Sequence, residues 1–113
     1  MCRRIAEREP LLRAFVPEPD RCRRLAWDAG ELFQRYPGSG SRPALFSIPV
    51  GVKDIVNVAG LSTAAGSRLP PELFAGPEAT VVTRLREAGA LIAGKTATTE
   101  LAFSEAAATT NPH

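Results

Sequence analysis

The feature that most constrains the fold is the order of two apolar segments around a helix-like one. Residues 46–58 are rich in β-branched side chains, and residues 90–93 form a short, fully apolar run. Both patterns are typical of strands, the second of a buried strand. Between them, apolar residues recur at helical spacing at Val81, Val82, Leu85 and Ala88. Alternation of strands and helices predicts an α/β fold built on a sheet.

The helix between the two strands has recognisable ends. Gly76 and Pro77 are expected to open it, with Pro in the first turn, and Gly89 follows as a C-cap. After the second strand, residues 98–108 are predicted to begin another helix.

Residues 1–43 precede this unit and are predicted to contain two further helices. Residues 2–9 form a short helix that Pro10 should stop. Asp20 is placed as the N-cap of a second helix, of about four turns, which ends at Pro37. The apolar stripe of that helix consists of Cys22, Leu25, Ala26, Ala29, Leu32, Phe33 and Tyr36.

Composition and charge exclude several classes of function. A formal net charge of +2 over 113 residues, with acids interspersed among bases, does not indicate nucleic-acid binding. No run approaches the roughly 18 apolar residues of a membrane span, and the N-terminus does not resemble a signal peptide. The two cysteines lack metal-ligand spacing and the single histidine is the last residue, so no zinc site is predicted. A reducing cytoplasm is the default compartment.

Lys53 is the main candidate for chemistry. In an extended segment 48–54, Ile48, Val50 and Val52 share the face expected to enter the core, whereas Pro49, Gly51 and Lys53 share the other. Gly51 would leave space beside the ammonium, which favours a pocket over the surface. Because burial lowers the pKa of a lysine, such a residue suits the role of a base. The alternative is a lysine that pairs with Asp54 or Glu100 at a strand end.

Lys95 stands in a second motif that invites a different interpretation. Residues 89–96 match the phosphate-loop pattern G-x-x-x-x-G-K-[ST] letter for letter. That loop requires a strand before the first glycine and a flexible turn between the glycines. Here a helix precedes Gly89 and the intervening residues are an apolar strand. We therefore predict that Lys95 is a structural residue at the end of that strand.

Several separated blocks resemble the amidase signature family, in the order in which that family has them. They are a G-V-K-D strand, a T-x-x-G-S loop, an R-L-R-E-A-G-A helix end, a G-K-T turn and an E-L-A segment, all within residues 49–67 and 78–104. Residues 14–33 are similar to the family's lead-in helix. The resemblance implies the N-terminal portion of a mixed-sheet α/β domain with helices packed around it. One partial domain is expected over 1–113, with lead-in helices in 1–43 and the start of the catalytic sheet in 44–113.

The resemblance also implies a chemistry. The family hydrolyses carbon–nitrogen amide bonds with a Ser-Ser-Lys triad, in which a neutral lysine acts as base through a bridging serine and a second serine attacks the carbonyl. It places that lysine on Lys53. It further implies a small-molecule amide substrate, no metal or organic cofactor, and no direct contact with nucleic acid or membrane. Thr63, Ser67 and Glu100 are possible neighbours of the site, although turn hydroxyls and a helix cap explain them equally well.

The two serines of the triad have no counterpart in these residues. The family's Gly/Ser-rich stretch follows the segment that here ends at His113, so residues 1–113 alone are expected to be inactive. Two other interpretations stay open. One is the A-type subunit of a glutamyl-tRNA amidotransferase, which uses the same triad to release ammonia from glutamine. The other is a non-catalytic, truncated gene product.

Overall fold

The computed structural model describes residues 1–103 and confirms the α/β class. The helices and strands, in chain order, are α1 (Cys2–Leu12), α2 (Arg21–Arg35), β1 (Pro49–Lys53), α3 (Thr80–Glu87) and β2 (Leu91–Thr96). Single 3-10 turns lie at Ser39–Ser41, Pro71–Phe74 and Glu100–Ala102. The last of these falls within the predicted final helix, residues 98–108. In its described part, residues 98–103, the prediction is wrong, because only this turn forms there and Leu101 has a positive φ of 50°; residues 104–108 lie outside the described residues.

The sheet consists of β1 and β2 in parallel, with α3 in the connection between them. Pro49 pairs with Leu91 and Lys53 pairs with Thr96, with one irregularity in register after Val50. The other side of β2 is occupied by the extended residues 14–16. There the Val16 N–H donates to the carbonyl of Lys95 at 2.8 Å. Because β2 has neighbours on both sides, its first five residues are buried.

The core lies between this sheet and α3. Val82 and Ile92 are fully buried, and Val52 and Val58 pack beside them. Val81, which the helical spacing placed on the core face, is instead 56% exposed. Among the four apolar residues predicted to face the core from this helix, Val82 alone is fully buried. A helix of only eight residues presents a narrow face to the sheet.

The start of α3 was predicted too early. The helix begins at Thr80, and the backbone of Ala79 before it is extended. The Ala79 N–H donates to the Asn57 carbonyl at 3.0 Å, and the Glu78 carboxylate accepts from the Ala59 N–H at 3.0 Å. These bonds hold the segment before Thr80 against the loop after β1, which a helical backbone would not allow.

The two N-terminal helices form as predicted, with two differences: α1 ends later, and one residue of the predicted apolar face of α2 is exposed. Helix α1 continues through Pro10 to Leu12, and Arg13 closes it in the left-handed conformation by donating its N–H to the Glu9 carbonyl at 2.9 Å. Helix α2 has the predicted bounds. Cys22, however, is exposed despite its place on the predicted apolar stripe.

A network of arginines and carboxylates fastens α2 to β2. Arg24 donates to the Ile92 carbonyl at 2.9 Å and pairs with Glu18 at 2.6 Å and Asp28 at 3.1 Å. Burial lowers the pKa of Arg24, but the hydrogen bonds and charges of Glu18 and Asp28 outweigh it, so this pKa lies above its ordinary value. The two carboxylates therefore stabilise the charged form of Arg24 where it contacts β2.

Within residues 1–103, none of the helices has both the length and the apolar character needed to cross a membrane.

Candidate functional site

Lys53 is the last residue of β1, and its side chain is exposed. The neighbouring Val52 and Asp54 are buried, with exposed fractions of 6% and 1%. Since side chains alternate along a strand, the Lys53 ammonium lies on the side opposite Asp54. The ion pairs formed within residues 1–103 do not include Lys53.

The space that Gly51 was expected to leave beside Lys53 is occupied by other side chains. A Cβ on Gly51 would lie 2.7 Å from the Thr96 methyl and 3.8 Å from the Phe15 ring, so the space beside this glycine is filled. The predicted core face is also only partly buried, because Ile48 is 50% exposed and Val50 is half-buried. The physical reason is that β1 is an edge strand of the described sheet, covered on one face near its carboxyl end only.

Lys95, by contrast, is buried to 3% exposure inside β2. Its ammonium lies 2.8 Å from Asp54 Oδ1 and donates to Thr63 Oγ1 at 2.7 Å and to the Ser62 carbonyl at 3.4 Å. These three contacts hold the Lys95 ammonium inside the protein, away from any approaching substrate. The predicted structural role of Lys95 agrees with these contacts, and the strand geometry of residues 91–96 leaves no phosphate loop.

Asp54 holds the carboxyl end of β1 through both its backbone and its side chain. Its N–H donates to the Thr96 carbonyl at 3.0 Å, and its carbonyl accepts from the Ala65 N–H at 3.0 Å. Its Oδ2 accepts from the Ala64 N–H at 3.3 Å, while Oδ1 has no polar partner within residues 1–103 other than Lys95. The residue that follows Lys53 is therefore tied to β2 and to the loop after β1.

That loop, residues 60–67, is itself fixed. Ala65 and Gly66 have positive φ angles of 52° and 65°. A Cβ on Gly66 would lie 2.6 Å from the Thr98 carbonyl oxygen, so only glycine fits where the loop meets the segment after β2. The Leu101 N–H donates to the Ala65 carbonyl at 2.8 Å. The T-x-x-G-S motif thus forms a tight loop that delivers Thr63 to the buried network.

The three residues predicted to neighbour the site separate in the structure. Thr63 is buried and lies between Lys95 and Asn57. Its hydroxyl accepts from the Lys95 ammonium and donates to Asn57 Oδ1 at 2.8 Å. Ser67 is half-buried, and its hydroxyl accepts from the Leu69 N–H at 3.0 Å, as a turn residue does. Glu100 is exposed and begins a 3-10 turn. The structure therefore brings Thr63 to Lys95 and not to Lys53.

Sequence reasoning missed the pairing of Asp54 with Lys95. It considered Asp54 as a partner for Lys53, its neighbour in the chain. The signal that was available is the alternation of the strand, since Asp54 lies two residues after the buried Val52 and must share its face. Among residues 1–103, no cluster of three or more histidine, cysteine, aspartate or glutamate side chains is arranged to hold a metal ion.

Comparison with known proteins gives consistent matches. A family model described as Amidase matches residues 1–112. The putative amidase AmiD of Mycobacterium tuberculosis is 38% identical over 104 residues, which cover 89% of this chain and 21% of AmiD. The A-type subunit of the glutamyl-tRNA(Gln) amidotransferase of Koribacter versatilis is 44% identical over 61 residues, covering 54% of this chain and 13% of that protein.

The fold comparison agrees. The crystal structure of the peptide amidase from Stenotrophomonas maltophilia matches with a TM-score of 0.71 and 35% identity, over 88% of this chain and 20% of that one. The chain thus spans about a fifth of the length of AmiD and of the peptide amidase.

Proposed function

We propose two functional assignments on the basis that the chain belongs to the amidase family. The protein hydrolyses carbon–nitrogen amide bonds, and Lys53 is the base of the reaction. The observation that carries this proposal is the contrast between the two lysines. Lys95 is neutralised by Asp54, whereas Lys53 has no carboxylate partner within residues 1–103 and projects from a strand whose end is held rigidly. Of the two lysines, Lys53 is thus the one whose amine is not held by a carboxylate within residues 1–103.

The proposed chemistry follows the Ser-Ser-Lys pattern. A neutral Lys53 takes the proton of a bridging serine, which in turn activates the serine that attacks the amide carbonyl. The tetrahedral adduct collapses to an acyl-enzyme as the C–N bond breaks, and the amine or ammonia leaves with the transferred proton. Water then hydrolyses the acyl-enzyme, which releases the carboxylic acid and restores the serine. Residues 1–113 contain no adjacent pair of serines, so we assign neither hydroxyl to a residue of this chain.

The proposed substrate is a small-molecule amide, with no metal or organic cofactor. The side chain of Lys53 is exposed at the edge of the sheet, where there is room for neighbouring strands. This exposure supports a site to which other parts of an amidase domain contribute. Under this proposal residues 44–113 are the start of the catalytic sheet, and residues 1–43 are helices that pack against it. The cytoplasm is the proposed compartment.

A second candidate is the A-type subunit of a glutamyl-tRNA amidotransferase. It is favoured by the 44% identity of 61 residues to that subunit from Koribacter versatilis. Coverage does not separate the two candidates, because the match to AmiD covers 89% of the chain and the match to the A-type subunit of Pseudomonas fluorescens covers 91% at 32% identity. The amidase is preferred because the crystal structure of a peptide amidase matches 88% of the chain at 35% identity. Under the second candidate, the ammonia released from glutamine would pass to a tRNA-linked product.

The two candidates are separated by ammonia release from the full-length gene product. A panel of aliphatic, aromatic and peptide amides is compared with glutamine, each with and without the partner subunits of an amidotransferase. The proposal predicts turnover of at least one amide other than glutamine by the protein alone. Turnover of glutamine only, and only with the partner subunits, supports the second candidate. No turnover of any amide under either condition overturns both.

A further inference from the structure

The buried pair of Asp54 and Lys95 has no part in the proposed proton transfer, yet it adjoins the residue that does. Both side chains are almost fully buried, with exposed fractions of 1% and 3%. Removing two charges from water is costly, and apolar residues of similar size often serve stability equally well. We therefore expect the buried pair to fix the local geometry of the backbone and not merely to add stability.

The contacts of the pair converge on the backbone beside Lys53. Asp54 is linked through four groups: its N–H to β2, its carbonyl and Oδ2 to the loop 60–67, and its Oδ1 to Lys95. Lys95 in turn holds the same loop through Thr63 Oγ1 at 2.7 Å. The end of β1, the loop 60–67 and β2 thus meet at Asp54, the residue after Lys53. Each of these segments is held there by an ion pair or a hydrogen bond.

We propose that Asp54 and Lys95 are positioning residues that fix the Cα of Lys53, and hence the approach of its amine to the bridging hydroxyl. This inference rests on the proposed function of Lys53. A base must come within roughly 2.6–3.2 Å of the proton donor, so its backbone cannot drift. A misplacement of about 1 Å lowers the rate by about 100-fold. Neither side chain touches the substrate, because both lie on the face of the sheet opposite Lys53.

The test uses the full-length gene product and the amide that it hydrolyses. Lys95→Met removes the ammonium but keeps the length of the side chain, and Asp54→Asn/Lys95→Met removes both charges together. Activity is measured well below each variant's Tm, so that only folded protein contributes. Both variants are expected to lose about 10- to 100-fold in kcat, with KM changed by less than about threefold. Lys95→Arg, which keeps a cation, is expected to recover part of kcat.

The matched control is Arg24→Met. Arg24 also forms half-buried ion pairs and bonds to β2, through the Ile92 carbonyl, but it lies on α2 and not beside Lys53. It is expected to lower Tm while leaving kcat within about twofold. If Lys95→Met fails to fold, Thr63→Val, which deletes one hydrogen bond to Lys95, provides the same comparison with an expected kcat loss of about 3- to 10-fold.

The outcomes separate the inference from the function on which it rests. If Lys53→Ala abolishes turnover and Lys95→Met or the double variant keeps full kcat, the pair is merely structural and the inference is overturned while the function stands. An equal loss of kcat in Arg24→Met also overturns it, because the effect would then follow stability alone. If Lys53→Ala keeps full turnover, the proposed function itself fails.

Discussion

Lys53 and Lys95 stand on adjacent strands, and their surroundings give them different chemistry. Lys95 is enclosed with Asp54 and Thr63, so its ammonium is paired with a buried carboxylate and bonded to a hydroxyl. Lys53 has neither partner and points away from the core. The same side chain therefore serves as a structural cation in one place and as the proposed base in the other, with the difference set by whether the strand face is buried.

Loss of Lys95 is expected to destabilise the protein strongly. Lys95→Met leaves the Asp54 carboxylate buried without a counter-ion, which costs about 3–5 kcal/mol. In Asp54→Asn/Lys95→Met no charge is left unpaired, so the double variant should lose clearly less. The free energy of unfolding of the full-length protein, from urea titration, measures both. A double variant that is less stable than Lys95→Met would contradict this view of the pair.

Part of the candidate site could be predicted from the sequence, and part could not. The G-V-K-D resemblance singled out Lys53, and the apolar run before Lys95 indicated a strand in place of a phosphate loop. Strand alternation places Asp54 on the buried face, but it does not identify Lys95 as its partner, because that contact depends on the register of β1 with β2. Thr63 joins them only once the loop 60–67 folds back. The filling of the space at Gly51 by Thr96 likewise depends on strand register, which the sequence alone does not specify.

At the scale of elements, the crossing of α2 over β2 depends on Gly94. This residue has a φ of 150°, and a Cβ there would lie 3.0 Å from Arg21 Nε and 3.3 Å from both Glu18 and the Phe15 ring. The glycine of the apparent phosphate-loop motif is thus required by packing. Because the buried Arg21 and the half-buried Glu18 form an ion pair at 3.3 Å, this corner has little room to adjust.

Gly94→Ala and Gly30→Ala are expected to shift stability in opposite directions. Alanine at residue 94 must strain the backbone and displace Arg21, at a cost of about 1–3 kcal/mol. Gly30 lies within α2 with nothing within 4 Å of its added Cβ, so alanine there should stabilise by about 0.5–1 kcal/mol. Thermal unfolding of the two variants beside the wild type measures the difference. A stabilising Gly94→Ala would contradict the proposed packing.

The order and type of the elements were predictable, whereas their ends depended on tertiary contacts. Periodicity gave α2 its bounds and gave the strand–helix–strand order. The start of α3 moved to Thr80 because Glu78 and Ala79 are bonded to the loop after β1. Pro10 did not end α1, since a proline in the last turn forfeits one hydrogen bond and Arg13 still closes the helix.

At the scale of the whole molecule, the described part of the chain exposes an unusual set of large apolar side chains. Ile48, Leu73 and Phe103 are 50%, 68% and 80% exposed. Ile48 directly precedes the edge strand β1, Leu73 lies between β1 and α3, and Phe103 lies after β2. Within a longer domain these surfaces are expected to be covered, and β1 is expected to gain a neighbouring strand.

A protein made only of residues 1–113 is therefore expected to self-associate and to lack amidase activity. Exposed apolar side chains and an unpaired strand edge promote association. Under the proposed mechanism Lys53 activates one of two serines, and residues 1–113 contain no adjacent pair of serines. Light scattering after size exclusion, together with an ammonia-release assay, tests both expectations. A monomer that unfolds cooperatively, or turnover that Lys53→Ala removes, would show that these residues suffice on their own.

The decisive measurement is kcat/KM for an amide substrate of the full-length gene product carrying Lys53→Ala. Arg84→Ala, which removes an exposed cation from α3, serves as the matched control. If Lys53 is the base, Lys53→Ala loses about 10³-fold or more, mainly in kcat, while Arg84→Ala stays close to the wild type. A Lys53→Ala protein that is folded and retains its kcat would contradict the assignment of Lys53 as the base.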